Sequence, residues 1–133
     1  MKIIKDKFFI SPSDLNNFVA CKYTIKNEIK FLNKEITKNT DRVNDKLWKE
    51  MGIEHEKKHH KILKTKYKKS IEIKLANDEQ LSFDDIVDAM QKGYDLIYHA
   101  YLIDENFRGE ADFLIKTNTP SDLGDYSYEV YDT

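Results

Sequence analysis

Arg108-Gly-Glu-Ala-Asp-Phe-Leu-Ile115 and Tyr128-Glu-Val-Tyr-Asp-Thr133 are two strand-like runs separated by Asn118-Thr-Pro-Ser-Asp-Leu-Gly-Asp125, a stretch dense in turn residues. Two such runs about one breaker-rich loop predict a β-hairpin. Centring the hairpin on that loop sets Asp112 opposite Asp132. Opposed residues on one face of an antiparallel pair hold their Cβ atoms about 5 Å apart, and two carboxylates that close repel unless a cation lies between them. The pair therefore predicts a divalent-ion site. Hard cations such as Mg²⁺ and Mn²⁺ take carboxylate oxygen and leave their remaining positions to water and phosphate. Glu110, two residues before Asp112 and so on the same face of the strand, is a candidate auxiliary acid.

Upstream, the chain reads as helices first and strands afterwards. Ser11-Pro-Ser13 offers an N-cap followed by proline, and Leu15, Phe18, Val19 and Tyr23 recur at helical spacing. This predicts a helix to about residue 23, extendable to Leu32. From Asp41 to about Lys69, Leu47, Trp48, Met51, Ile62 and Leu63 fall within about 160° at 100° per residue, one stripe of a long helix. His55 lies near the middle of that stripe, so its imidazole is expected to face the sheet. Residues 71–75 alternate as a strand. Ser82-Phe-Asp-Asp85 is a capping box expected to open a helix that Gly93 closes, and residues 95–103 form a further strand before the turn at Asp104-Glu-Asn-Phe107. The expected order is α-α-β-α-β-β-β, an α/β class with a mixed, mostly antiparallel sheet.

Length and composition bound the rest. At 133 residues the chain is one domain's worth, and residues 1–133 are expected to form a single folding unit. With 35% charged and 12% aromatic residues it belongs to folded rather than disordered sequences. No apolar run approaches the roughly 20 residues of a membrane span, and Met1-Lys-Ile-Ile-Lys-Asp is too charged for a signal peptide. A cytoplasmic location with no membrane partner is expected. One cysteine excludes an internal disulfide and fits a reducing compartment. The net charge of −2 hides a division: residues 1–70 carry 18 Lys/Arg against 9 Asp/Glu, and residues 71–133 carry 4 against 15. A basic helical half beside an acidic sheet half suits a phosphate-tracking surface next to a cation site, although charge runs are more often simply solvated faces.

Four segments in order resemble the RecB-like branch of the PD-(D/E)XK nucleases, which includes CRISPR-associated RecB-type exonucleases. Ile10-Ser-Pro-Ser-Asp-Leu-Asn-Asn-Phe-Val-Ala-Cys21 is similar to that branch's opening helix. Gly52-Ile-Glu-His55 is similar to its Gly-x-x-His motif, Gly109-Glu-Ala-Asp-Phe-Leu to its first acidic strand, and Glu129-Val-Tyr-Asp-Thr133 to its second. The resemblance implies a restriction-endonuclease-like core and metal-dependent phosphodiester hydrolysis on DNA or RNA. Asp112, Asp132, His55 and the Thr133 backbone carbonyl would hold Mg²⁺ or Mn²⁺. A His55 ligand would tilt preference toward Mn²⁺. The motif lysine would follow Thr133, so residues 1–133 read as an N-terminal portion ending just before it and are expected to show little activity alone. Full-length relatives of such a portion would append helicase or further nuclease domains. Cys21 matches the place where some members put the first of four iron–sulfur cysteines. The other three are missing here, so a buried free thiol is expected and a cluster only in a longer form.

The same residues spell two other functions. His55-Glu-Lys-Lys-His59 is a literal H-E-x-x-H, which on a helix sets two zinc-binding histidines one turn apart with Glu56 as general base. Two lysines inside the motif and the lack of a clear third ligand weigh against this zinc hydrolase. A catalytically dead module that binds nucleic acid or a protein partner is the third class.

Overall fold

The computed structural model describes residues 1–4, 6–38, 43–74 and 79–133, with side chains at 43–45 and 79–81 left aside. It is a mixed α/β chain. The described residues form β1 (Lys2–Ile4), β2 (Lys7–Phe9), α1 (Pro12–Ala20), α2 (Lys22–Leu32), α3 (Val43–Lys66), β3 (Ser70–Glu72), α4 (Glu79–Gln91), β4 (Leu96–Asp104), β5 (Phe107–Thr117) and β6 (Ser127–Tyr131). Asp41 and Leu75, the expected first residue of the long helix and last residue of the first strand, lie outside the described residues. The chain divides into two compact units, Met1–Arg42 with Ile103–Gly109, and Val43–Leu102 with Glu110–Thr133.

In the first unit, β1 and β2 form a small antiparallel hairpin that the sequence reading did not anticipate, with Ile3 opposite Phe8. Three-residue strands in a lysine-rich segment carry too short an alternation to be read. Ile10 then pairs with the β4–β5 turn, donating its N–H to Asn106 O at 2.8 Å and accepting from Arg108 N–H at 2.9 Å. A side chain at Gly109 would press on Pro12, with its Cβ 3.3 Å from the proline Cδ, which accounts for glycine there. The expected first helix is two helices. Cys21 is extended at φ −162, ending α1 and starting α2, and it is exposed rather than buried. Its thiol is held below the usual value by hydrogen bonds from the backbone of Tyr23 and Thr24 at the start of α2.

Asp14 anchors this unit. Its Oδ2 accepts from Ser11 N–H at 2.8 Å and from the Ser11 hydroxyl at 2.6 Å, and the Met1 ammonium lies 2.5 Å away, both partners of that ion pair being largely buried. Burial pushes the carboxyl up, but the hydrogen bonds from the Met1 ammonium and Ser11, with the ammonium charge, hold it below its ordinary value. A depressed folded-state value gives stability that is complete above the unfolded aspartate value of about 3.9 and drains away as pH falls through the folded one. Acid titration followed residue by residue in NMR spectra should therefore show the first unit loosening below about pH 4. Asp14→Asn should weaken the unit at neutral pH and flatten that acid limb; an acid limb that keeps its full amplitude in the variant would count against this account.

The second unit holds the four-stranded sheet, in the order β3-β4-β5-β6. β3 runs parallel to β4 with Ile71 opposite Ile97, a connection made through α4. The two-residue link between β4 and β5 permits only an antiparallel pair. β5 and β6 are antiparallel, with Phe113 opposite Tyr131 and Thr117 opposite Ser127. The mixed, mostly antiparallel sheet expected from the sequence is present. Its core is Leu96, Tyr98, Phe113 and Ile115, against which Leu63 of α3 and Tyr67, just past its end, are packed. α4 begins at Glu79, so Ser82 is a fully buried residue inside the helix rather than its cap. Gly93 closes the helix as expected, at φ +66. Two β6-side tyrosines finish that end: Tyr126 donates its hydroxyl to Met90 O at 2.9 Å, which also accepts from Gly93 N–H, and Tyr128 donates to Tyr94 O at 2.6 Å. Burial pushes the Tyr128 hydroxyl up to about 12, which keeps it a donor. Among the described residues no helix is long and apolar enough to cross a membrane.

Candidate functional site

The β5–β6 register is the one expected from the turn-rich loop. One step beyond the Phe113–Tyr131 pair, Asp112 N–H reaches Asp132 Oδ1 at 3.4 Å, so the two aspartates meet across the strands. Thr133 closes over them, its N–H and its hydroxyl each 3.0 Å from Asp112 Oδ2. Asp112 is half-buried, whereas Asp132 and Thr133 are exposed. Two carboxylates thus stand at the open end of a hairpin with one of their four oxygens already hydrogen-bonded to Thr133. Among the described residues, no three His, Cys, Asp or Glu side chains converge as metal ligands.

α3 presents a different face from the expected one. Leu47, Trp48, Met51 and Ile62 of the expected stripe are all more than half exposed, and His55 is exposed as well. The residues turned inward are Glu56, His59, His60, Leu63 and Tyr67, spaced 3, 4, 7 and 11 from the first. That is the same helix rotated by about one residue, or about 100°. The reason is in the rings. His60 stacks on Tyr98 with centroids 3.8 Å apart, and His59 lies 5.7 Å from Phe113. A reading that counts histidine as polar discards both contacts. Burial beside Tyr98, with the nearby Lys64 charge, lowers the His60 value and favours its neutral, stacking form.

Two site residues were missed altogether. Tyr98 is buried on β4, and its hydroxyl is pushed far above its ordinary value, first by burial, then by a hydrogen bond to Glu56 and the charges of Glu56, Glu72 and Asp112. His99 follows it with φ +61, a left-handed angle that L side chains rarely adopt inside a strand. In a regular strand, neighbours point to opposite faces. Here the Tyr98 and His99 rings touch edge to face, with centroids 3.9 Å apart, because that angle swings His99 round to the Tyr98 side. His99 lies between two carboxylates: Glu110 Oε1 is 3.0 Å from Nδ1 and Glu56 Oε1 is 3.1 Å from Nε2. Glu110, an auxiliary acid by the sequence reading, and Glu56, the general base of its zinc-hydrolase alternative, are thereby joined through a residue that reading passed over. A lone histidine in an apolar strand offered only its residue type as a signal.

No protein-family model, curated protein or solved structure matches the chain.

Proposed function

We propose that this chain carries the acidic centre of a metal-dependent nuclease of the RecB-like PD-(D/E)XK kind. Asp112 and Asp132 would hold Mg²⁺ or Mn²⁺, with the Thr133 carbonyl as a further oxygen donor. The observation that carries the reading is the meeting of the two aspartates across the β5–β6 pair, where like charges need a cation. α3 offers Glu56 on the sheet side, where the sequence reading had put His55. An ion held there would supply Lewis-acid polarisation of a scissile phosphodiester and a more acidic water for in-line attack. Asp112 and Asp132 would fix it, and the Thr133 hydroxyl, 3.0 Å from Asp112 Oδ2, orients Asp112. α3 contains seven lysines against four acids, and Lys46, Lys49, Lys57, Lys58, Lys61, Lys64 and Lys66 are all exposed. They supply salt-dependent contacts to a DNA or RNA backbone without reading bases.

Calorimetric titration with metal chlorides tests the centre. Mn²⁺ should bind, Mg²⁺ more weakly, and Asp112→Asn or Asp132→Asn should each weaken Mn²⁺ by about tenfold or more, the effect of losing a charged oxygen ligand. Affinity indifferent to both substitutions would remove the site. Stoichiometric zinc lost on His59→Ala would move the reading to the zinc hydrolase instead.

A further inference from the structure

α3 has a second face, which neither the sheet core nor the acidic centre uses. At about 100° per residue, Leu47, Trp48, Met51, His55 and Ile62 share one outward arc of about 100°. All five are exposed, Trp48 by 67% and Leu47 and Met51 by more than half. Lys46, Lys57, Lys61 and Lys64, exposed as well, share a neighbouring arc of about 60°, and this ridge runs along about 27 Å of helix. Its charge is little neutralised. Among the described residues Lys46 meets Glu50 only at 4.0 Å, and Lys57, Lys61 and Lys64 form no ion pair. Glu54, beside the ridge, is already matched by Lys58 at 2.8 Å.

A row of cations beside an exposed indole suits a partner that is anionic along one edge and flat and apolar along the next. A single strand of nucleic acid is built that way, whereas a duplex hides its base faces. Unpaired bases stack on tryptophan whatever their identity, while lysines follow the backbone. The apolar arc also chooses among anionic partners. Leu47, Trp48 and Met51 cluster within about one turn, and Ile62 stands about three turns further on, beyond His55 and Lys58. A bilayer surface or an amphipathic partner helix needs an apolar stripe that repeats every three or four residues, and here an imidazole and an ammonium break it. One stacking platform beside a lysine ridge needs no such continuity. We propose that the outward face of α3 binds single-stranded nucleic acid, with Lys46, Lys57, Lys61 and Lys64 on the phosphates and an unpaired base stacked on Trp48. This deepens the backbone contact proposed above by making the strand single; it rests on that contact and not on hydrolysis at Asp112 and Asp132.

Trp48 is the only tryptophan in the chain, so its emission reports this face alone. The full chain is titrated in chelator, which keeps cleavage out of the measurement. Oligo(dT) or oligo(U) of about 12 nucleotides should quench the emission, with an affinity that falls steeply with salt. The same strand annealed to its complement should quench little, and inorganic polyphosphate, which has charge but no bases, should bind without quenching. In anisotropy titrations of a labelled strand, Trp48→Ala should weaken single-strand binding by about tenfold, leave duplex binding unchanged, and be largely rescued in Trp48→Phe. Quenching by neither oligonucleotide, equal quenching by polyphosphate, or a folded Trp48→Ala protein that holds the single strand as tightly as wild type would each overturn the platform. So would a blue shift on anionic phospholipid vesicles without quenching by either strand, which would make the face a membrane contact. Salt-dependent binding of strand and duplex alike, untouched by Trp48→Ala, would overturn the platform and leave the lysine contacts standing. Loss of Mn²⁺ cleavage in Asp112→Asn with quenching intact would touch only the nuclease reading.

Discussion

The chain extended by a lysine directly after Thr133 should cut linear DNA in the presence of Mn²⁺, and Asp112→Ala or Asp132→Ala should each lower that rate by about a hundredfold or more. The lysine is the residue the resembled family places after its second acidic strand, where its ammonium positions the attacking water. Asp112 and Asp132 meet at that same end of the hairpin, one residue from the proposed lysine. A cation fixed by these carboxylates without the lysine would bind phosphate and hydrolyse it poorly, so residues 1–133 alone should show at most a small fraction of the extended chain's rate. A fluorescent oligonucleotide assay on the four proteins decides the matter. Equal rates with and without the lysine, or an extended chain indifferent to both aspartates, would sink the proposed nuclease. If the α3 lysines act through backbone phosphate, as proposed, substrate affinity should also fall steeply with salt in active and inactive variants alike.

What the sequence made legible follows the range of each signal. The β5–β6 hairpin was readable because turn chemistry is local and a period of two leaves few registers; the loop alone was enough to set Asp112 against Asp132. Gly93 was readable as a helix stop for the same reason. Ser82 misled because Ser-Phe-Asp-Asp satisfies a capping pattern wherever it occurs, whereas α4 starts at Glu79 and holds Ser82 buried within it. The long helix was found but turned the wrong way. Its apolar residues Leu47, Trp48, Met51 and Ile62 form a real stripe, yet the sheet offers Tyr98 and Phe113, and flat rings on α3 fit flat rings on the sheet better than branched chains do. Only that partner surface, which no helical pattern contains, decides between faces one residue apart. His99 lay further out of reach. Its place depends on one left-handed backbone angle, and periodicity arguments assume such angles away.

The two faces of α3 make opposite predictions about stability, and this is the second large effect. Phe113 is fully buried, stacks on Tyr98 with centroids 5.2 Å apart, and meets both His59 and His60. Phe113→Ala should therefore cost about 3–5 kcal/mol in the second unit, the usual loss for a buried ring whose cavity closes only in part. Set against a total stability of about 5–15 kcal/mol for a typical domain, that is enough to leave the unit largely unfolded under mild denaturant. Trp48 heads the apolar stripe that the sequence alone would have buried, but it is 67% exposed. Trp48→Ala should then change stability by no more than about 0.5 kcal/mol. Urea unfolding followed by far-ultraviolet circular dichroism ranks the two. A Trp48→Ala protein less stable than Phe113→Ala would mean that α3 packs through its apolar stripe after all. Glu56 would then turn away from His99, and the 3.1 Å contact between them would be lost.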